Sequence, residues 1–437
     1  MVPGDEDILT VNLWTPAPDG GPLPVLVWIH GGAYTFGSSA QPDFDGTVLA
    51  RAGLVVVTLN YRIGFEGFGH VPPDGPIAHP DNRGLLDQVA ALRWVRENIA
   101  AFGGDPGNVT VAGQSSGAAS VACLMVMDRA RGLFHRAIAH SPASPCYPRD
   151  IAAATTREVA AAAGCPATSA GLRSTTPQAL VAAADQVADG YRRDPASGSR
   201  HYDPSLYAPV LDDDVLPTDP LTGWRPVRPG TWTCWSATPR RSTGCSTPSA
   251  AARRSPPTRN SLVSPRTSAS PTAWWPGYRA ALPRAPVLDV YLAVFGDLLF
   301  GEYANRLAEV HARAGGRAFL SRFDRRRADP GAVVRAWHCA DVPFAFGNLD
   351  DERLAFLIGG APTAADQGLA RRMVRAWADF AATGSPGWPP VRDSSTEATE
   401  ATEAKVWTAD PHAARTGDRA AAVRALWAEA DFPVLRP

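Results

Sequence analysis

Residues 109–125, VTVAGQSSGAASVACLM, change from a β-branched run to a run of small residues, with two adjacent serines at the change. The first four residues have the character of a short buried strand, and the small side chains that follow suit a helix packed closely on a sheet. Between them, residues 113–117, GQSSG, match G-x-S-x-G, whose flanking glycines leave room for a sharp turn around the central serine. The stretch predicts a strand, a turn and a helix with Ser115 as candidate nucleophile, and the alternative interpretation is an ordinary glycine-serine loop.

Neighbouring segments extend this pattern into a sheet. The runs LPVLVWI, LVVVTLNY and AIAHSP are typical of buried strands, and GLLDQVAALRWVRENIAAF has the apolar spacing of a helix. Residues 151–188 form an alanine-rich helical region, and GLARRMVRAWADFAATG predicts an amphipathic helix that its glycine ends. The order of these elements predicts an α/β fold with a mostly parallel central sheet and helices on both faces.

Bulk composition excludes several functional classes. The chain has 437 residues, 45% of them hydrophobic, and a formal net charge of -1, so neither nucleic acid nor an anionic membrane is an expected partner. Its six cysteines show no C-x-x-C pairs and no clustering with histidines, which favours free thiols over a metal site. Without a leader-like or membrane-spanning run, the sequence favours a cytoplasmic protein acting on small molecules without a metal or organic cofactor. The oligomeric state is left open.

Two segments depart from this order. No Asp or Glu occurs between Asp219 and Asp289, and residues 231–280 hold 17 Ser/Thr and 7 Pro without a sustained apolar period. We therefore expect no core element over 230–276, with order returning near Gly277. Residues 391–405 include the polar repeat SSTEATEATEAK, which predicts a solvated loop insert.

A second motif supports a catalytic interpretation of Ser115. Residues 30–33, HGGA, follow a predicted strand, and their small side chains would let backbone N–H groups approach a developing oxyanion. A serine nucleophile also needs a base. Of the nine histidines, position favours His338, which follows the last predicted strands.

These motifs resemble consecutive signatures of the type B carboxylesterases, the cholinesterase-like and para-nitrobenzyl-esterase-like branch of the α/β hydrolases. The resemblance rests on EDILTVNLWTP, LPVLVWIHGGAYTFGS, VVVTLNYRIGFEGF, the run NRGLLDQVAALRWVRENIAAFGGDPGNVTVAGQSSGAASV and RGLFHRAIAHS, and it resumes with LDVYLAVFGDLLF, HCADVPF and WADFAATGSPGWP. It implies a single α/β-hydrolase domain over 1–437 that hydrolyses carboxylic esters. It further implies Ser115 as nucleophile, His338 as base, and an oxyanion hole from the N–H groups of Gly32, Ala33 and Ser116.

The sequence departs from the family pattern at four points. Gln114 stands where the family has a glutamate, and Ala33 replaces a third glycine. The resemblance places N-terminal edge strands before EDILT, and we expect the fold to lack them. The triad acid is expected near position 240, within the stretch that lacks acids. Asp341 is the carboxylate nearest to His338 in sequence, but we expect it to pair elsewhere.

The composition of 230–276 suggests an explanation for the missing acid. Its Arg, Pro, Ser, Thr, Trp and Cys bias is typical of GC-rich coding sequence read out of register, so we hypothesise a compensated frameshift; a genuine disordered insertion is the alternative. Three functions follow: a serine-type carboxylic ester hydrolase, impaired if the acid is lost; a non-catalytic α/β-hydrolase-like protein; and an acyltransferase on the same machinery.

Overall fold

The computed structural model describes residues 8–73, 79–143, 146–203, 205–223, 233–239, 271–329, 332–334, 336–391, 404–410, 417–428 and 430. Its strands are β1 Val11–Trp14, β2 Leu23–Ile29, β3 Val55–Leu59, β4 Gly104–Gln114, β5 Arg136–His140, β6 Thr233–Pro239, β7 Arg317–Phe323, β8 Arg327–Asp329, β9 Ala332–Val334 and β10 Lys405–Trp407.

Helices lie between most of these strands along the chain, several of them in succession after β5 and after β6. They are α1 Thr47–Arg51, α2 Gly64–Phe68, α3 Arg83–Asn98, α4 Ser116–Val126, α5 Arg149–Ala162, α6 Ser169–Ser174, α7 Pro177–Arg193, α8 Ser199–Tyr202, α9 Trp275–Ala281, α10 Val287–Gly296, α11 Glu302–Arg313, α12 Val342–Phe346, α13 Ala355–Ile358, α14 Ala364–Thr383 and α15 Gly417–Leu426. A π-helical turn, Asp297–Gly301, joins α10 to α11. Short 3₁₀ turns lie at Pro42–Phe44, Ile99–Phe102, Asp128–Ala130, Pro195–Ser197, Pro271–Trp274 and Glu352–Leu354.

Within the described residues, eight strands form one mixed sheet in the order β1-β3-β2-β4-β5-β6-β7-β10. Strand β1 pairs antiparallel with β3, and the other neighbours in this sheet are parallel. The predicted α/β-hydrolase-like architecture, with a mostly parallel sheet, is confirmed. Strands β8 and β9 form a separate antiparallel pair.

Successive side chains of a strand point to opposite sides of the sheet, and in β2 the side chains on both sides are buried from Val25 onward. In β2, Val25, Val27 and Ile29 belong to a core with α3, α4, α5 and α7. Leu26 and Trp28 belong to the opposite core, where the Trp28 ring lies 5.0 Å from Phe346. The continuous apolar run LPVLVWI is therefore explained by helices that cover both faces.

The segment 230–276 requires a correction. We expect no core element there, but residues Thr233–Pro239 form β6, an interior strand paired with β5 and β7. A strand between two formed neighbours gains both ladders of backbone hydrogen bonds, so its pairing can override a sequence without apolar alternation. Residues 240–270, including the expected position of the triad acid, lie outside the described residues, as do residues 392–403 of the predicted polar insert.

Two further observations concern the cysteines and the possibility of a membrane-spanning helix. Among the described residues, Cys123, Cys146, Cys165 and Cys339 are not joined in disulfide bonds. Among the described helices, none combines the length and the apolarity required to cross a bilayer.

Candidate active site

Ser115 lies at the corner between β4 and α4, at the carboxyl end of the central strands. Its backbone has φ 56° and ψ -125°, a conformation that costs free energy in any residue other than glycine. The turn is held by hydrogen bonds from Ser115 N to His140 O at 2.9 Å and from Ala119 N to Ser115 O at 2.9 Å. The predicted strand, sharp turn and helix are confirmed.

The flanking glycines are required by close backbone packing. A Cβ atom on Gly113 would lie 2.5 Å from the carbonyl carbon and oxygen of Gly117. Backbone atoms cannot move aside as a side chain can, so a larger residue at 113 would open the turn. This is the room that the G-x-S-x-G pattern predicts.

The loop after β2 packs directly against residues 113–117, which we call the serine turn. A Cβ atom on Gly31 would lie 2.7 Å from Gln114 O and 3.1 Å from the Cβ of Ser115. Ala33 (φ 51°) and Tyr34 (φ 59°) both adopt left-handed backbone conformations, and Tyr34 N donates to Ser116 Oγ at 3.4 Å. The loop is thus built around the residues that carry the candidate nucleophile.

The same loop leaves donors available for a ligand. Thr35 N and Phe36 N both donate to Gly32 O, at 2.9 and 3.0 Å. In the part of the chain that the structure describes, the N–H groups of Gly32 and Ala33 donate to no acceptor. Ser116 opens α4, where the first N–H groups have no intrahelical acceptor. These three N–H groups lie on the two elements that meet at Ser115.

The side chain of His30 packs under the loop that follows β2 and contacts its backbone. Its side chain is fully buried, Nδ1 lies 2.8 Å from Gly31 O, and the ring stacks on Tyr61 at 4.5 Å. The Tyr61 hydroxyl donates to His30 O at 2.7 Å. Burial lowers the pKa of His30 to about 4, so the ring is neutral at pH 7. Its contacts assign it a role in holding the loop.

His338 lies in the turn before α12 and meets the serine turn through Gln114. Gln114 Nε2 lies 3.1 Å from His338 Nε2 and 3.3 Å from Nδ1. The imidazole also stacks on Phe300, with ring centroids 4.1 Å apart and an angle of 16° between the planes. Within the described residues, Ser115 Oγ makes no hydrogen bond to this ring; the contact is made by the residue that precedes the serine.

The protonation state of His338 suits a base. Burial lowers its pKa to about 4, against an opposing effect of the Asp341 carboxylate, which favours the charged ring. The imidazole is therefore neutral at pH 7 and has a nitrogen lone pair that can accept a proton.

Asp341 pairs with His140 and not with His338. This agrees with the expectation that Asp341 pairs elsewhere. Its Oδ2 lies 2.8 Å from His140 Nδ1, and both side chains are 1% exposed. A carboxylate accepts, so this nitrogen carries the proton and donates. His140 also packs edge-on against Trp377 at 5.0 Å. Since His140 O accepts from Ser115 N, the pair connects the His338 turn to the serine turn.

Sequence reasoning did not assign three of these contacts. Gln114 was singled out only as a departure from the family, and neither Phe300 nor the pairing of His140 was anticipated. Cys339 also has a left-handed backbone, with φ 72°, and its Sγ lies 3.5 Å from Gln114 Oε1. Among the described residues, no three His, Cys, Asp or Glu side chains are grouped so that they could hold a metal ion.

The chain is similar to known proteins over most of its length. The model of the Carboxylesterase family matches residues 1–227 and 284–419, and leaves 228–283 unmatched. The para-nitrobenzyl esterase of Bacillus subtilis (strain 168) is 34% identical over 415 residues, which cover 90% of this chain and 78% of the relative.

Solved structures give the same result. A thermophilic PNB esterase superimposes with a TM-score of 0.74 at 31% identity, covering 93% of this chain and 81% of that one. The Geobacillus stearothermophilus carboxylesterase EST55 at pH 6.2 gives a TM-score of 0.70 at 30% identity, with 97% and 86% coverage.

Proposed function

Because the chain belongs to the carboxylesterase family, we propose that it hydrolyses carboxylic esters through an acyl intermediate on Ser115, with His338 as the base. The observation that carries the assignment of residues is the strained turn of Ser115, packed between two loops. One loop offers the N–H groups of Gly32 and Ala33, and the other brings a neutral imidazole against the adjacent Gln114.

The reaction follows from these groups. Ser115 Oγ attacks the ester carbonyl while His338 accepts the hydroxyl proton, and the carbonyl oxygen becomes an oxyanion that the N–H groups of Gly32, Ala33 and Ser116 stabilise. The protonated His338 then donates to the leaving alcohol, which leaves an acyl-Ser115 ester. Water then attacks this ester while His338 accepts its proton. When the acid leaves, His338 donates that proton to Ser115 Oγ, so both residues return to their starting state.

The ring of His338 has to turn from Gln114 towards Ser115 during this cycle. Catalytic hydrogen bonds are often long or misaligned before substrate binds. The two contacts from Gln114 Nε2 hold the ring near the serine without consuming the hydroxyl proton. An amide can release the ring at a lower electrostatic cost than a carboxylate would.

Gln114 also bears on the kind of ester. A carboxylate beside the nucleophile would attract cationic substrates, and a neutral amide does not. We therefore propose neutral, small-molecule esters as substrates. Because one relative is a para-nitrobenzyl esterase, uncharged nitroaromatic esters are suitable first test compounds.

The test is covalent labelling of the full chain by a fluorophosphonate, beside hydrolysis of short-chain p-nitrophenyl esters. We expect wild type to be labelled, and Ser115→Ala to lose both labelling and hydrolysis. His338→Ala should lose at least about 10³-fold in kcat, as other triad hydrolases do without their base. Ser116→Ala keeps its backbone N–H and is the matched control that should still be labelled.

The same experiment separates the alternatives. Equal labelling of all folded variants, or of none, would contradict a catalytic role for Ser115 and favour a non-catalytic protein. Adding a primary alcohol to the assay tests the acyltransferase: transfer of the acyl group to the alcohol in preference to water would identify it.

A further inference from the structure

Phe300 lies in the π-helical turn Asp297–Gly301, a rare geometry that occurs mostly as single turns and frequently at functional sites. The hydrogen bonds that hold this turn are made to residues other than His338. Asp297 Oδ2 accepts from the Tyr278 hydroxyl at 2.7 Å, and that hydroxyl accepts from Trp427 Nε1 at 2.7 Å. Leu298 adds a buried apolar contact, at 2% exposure. The position of Phe300 is thus set by α9 and the C-terminal segment.

The contact that this anchored turn makes is with the candidate base. The rings of Phe300 and His338 are nearly parallel, at 16°, and 4.1 Å apart. Stacking covers one face of the imidazole, whereas Gln114 Nε2 contacts the edge that carries its nitrogens. One neighbour therefore restrains the plane of the ring and the other its direction within that plane.

We propose that Phe300 is a positioning residue of this esterase, whose ring fixes the plane of the His338 imidazole and keeps water from its face. This inference rests on the proposed function, because it assumes that His338 is the base. A small error in the placement of a catalytic group can cost up to about 10² in rate, so an apolar ring that allows one plane has a catalytic value beyond its packing.

Phe300 also contributes to the electrostatics of the site. Loss of solvent is the main reason that the pKa of His338 is lowered to about 4, and the charge of Asp341 opposes it. Among the described residues, the uncharged Gln114 contacts the ring, the Cys339 thiol lies near Gln114, and His140 donates a hydrogen bond to Asp341. Removing Phe300 leaves the charge of Asp341 in place and admits water, so the pKa of His338 should rise towards its ordinary value near 6.5.

The test compares kcat and kcat/KM between pH 3.5 and 8.5 for four variants and wild type, with circular dichroism at each pH to confirm the fold. We expect Phe300→Ala to move the acid limb of kcat/KM up by about one pH unit. Its kcat above that limb should fall about tenfold, while KM changes by less than about twofold. Phe300→Tyr retains a stacking ring, so its acid limb and its kcat should both be close to those of wild type. Phe300→Leu fills the space without stacking, so it tests the proposal if the alanine variant fails to fold.

Phe295→Ala is the matched control. Phe295 is also a phenylalanine of this segment, but it packs on Tyr291 and Tyr202. It should lower the melting temperature without moving the acid limb. An unchanged limb and kcat in Phe300→Ala, an equal change in Phe295→Ala, or no restoration in Phe300→Tyr would overturn the proposal. If wild type is labelled at Ser115 and His338→Ala is inactive in the labelling experiment described above, the proposed function stands even when this inference fails.

Discussion

Asp341 is the carboxylate in the described structure whose charge acts on the imidazole of His338. It is fully enclosed and accepts a hydrogen bond from His140, so its position is fixed by a partner outside the His338 turn. A negative charge held at this place stabilises the imidazolium that forms when the serine proton is transferred. Asp341 can supply this stabilisation without touching the ring.

Replacing Asp341 by Asn tests this contribution. The amide oxygen can still accept from His140, but the charge is gone, so we expect kcat to fall about tenfold and the acid limb of kcat/KM to move to lower pH. The measurement is the pH profile of p-nitrophenyl ester hydrolysis, with the melting temperature as the check on folding. A profile identical to that of wild type would show that the charge is not used.

Local motifs and long-range contacts differ in what a sequence can show about these residues. Ser115, residues 30–33 and His338 could be identified because each lies in a short pattern with its own chemistry. The contact of Gln114 with His338 joins residues 224 positions apart, and that of His140 with Asp341 joins residues 201 apart. Such pairs depend on how distant elements pack, which no local pattern encodes.

Among the elements, β6 lies between the two parts of the sheet that lead to the candidate site. It pairs with β5 through Ala137↔Cys234 and Ala139↔Ser236, and with β7 through Ala237↔Ser321. Strand β5 ends at His140, and the chain after β7 leads to His338. Strand β6 therefore connects the part of the sheet that carries the serine turn to the part that precedes the base.

Proline at position 237 tests whether β6 is an interior strand. Ala237→Pro removes a backbone donor of the ladder and should lower the free energy of unfolding by about 1–3 kcal/mol, or abolish folding, whereas Ala237→Val should be tolerated by the backbone. Urea unfolding followed by circular dichroism measures the difference. Equal stability of the two variants would restore the interpretation of 230–276 as an irregular segment.

Strands and helices with a strong apolar pattern could be predicted from the sequence, and those without one could not. Strands β2, β3 and β5 and the helices α3 and α14 were predictable because their runs are long or β-branched. The sequence TCWSATP of β6 has neither property, and its strand state depends on two neighbours in the sheet. The frameshift hypothesis for 230–276 stays a prediction, and the family match also stops across this segment.

For the molecule as a whole, two histidines with lowered pKa values predict sensitivity to acid. The pKa values of His30 and His338 are both about 4 in the folded chain, because burial disfavours the charged ring, against about 6.5 when unfolded. As the pH falls below about 6.5 the unfolded chain binds protons that the folded chain does not. Stability should therefore fall between about pH 6.5 and 4, by up to about 3 kcal/mol for each histidine, and neither should contribute above that range.

The measurement is the free energy of unfolding in urea at pH 7.5, 6 and 5. His30→Asn, whose amide can still donate towards Gly31 O, removes one titrating group and should lose less stability than wild type over this range. Other groups titrate there as well, so the difference between the two proteins is the informative quantity. An equal loss in both would exclude His30 as a source of acid sensitivity.

The order of strands has a consequence for how the chain is made on the ribosome. Strands β1 to β5 are synthesised first and lie side by side, with β5 at the border where β6 later adds. Until residues 233–239 have left the exit tunnel, β5 presents unpaired backbone groups, and such an edge can pair with other chains. The nucleophile and its oxyanion loop belong to this early part, and the base arrives about two hundred residues later. A polypeptide interrupted before β6 would carry the turn around Ser115 beside a strand edge with unpaired backbone groups, so this incomplete sheet is open to pairing with strands of other chains.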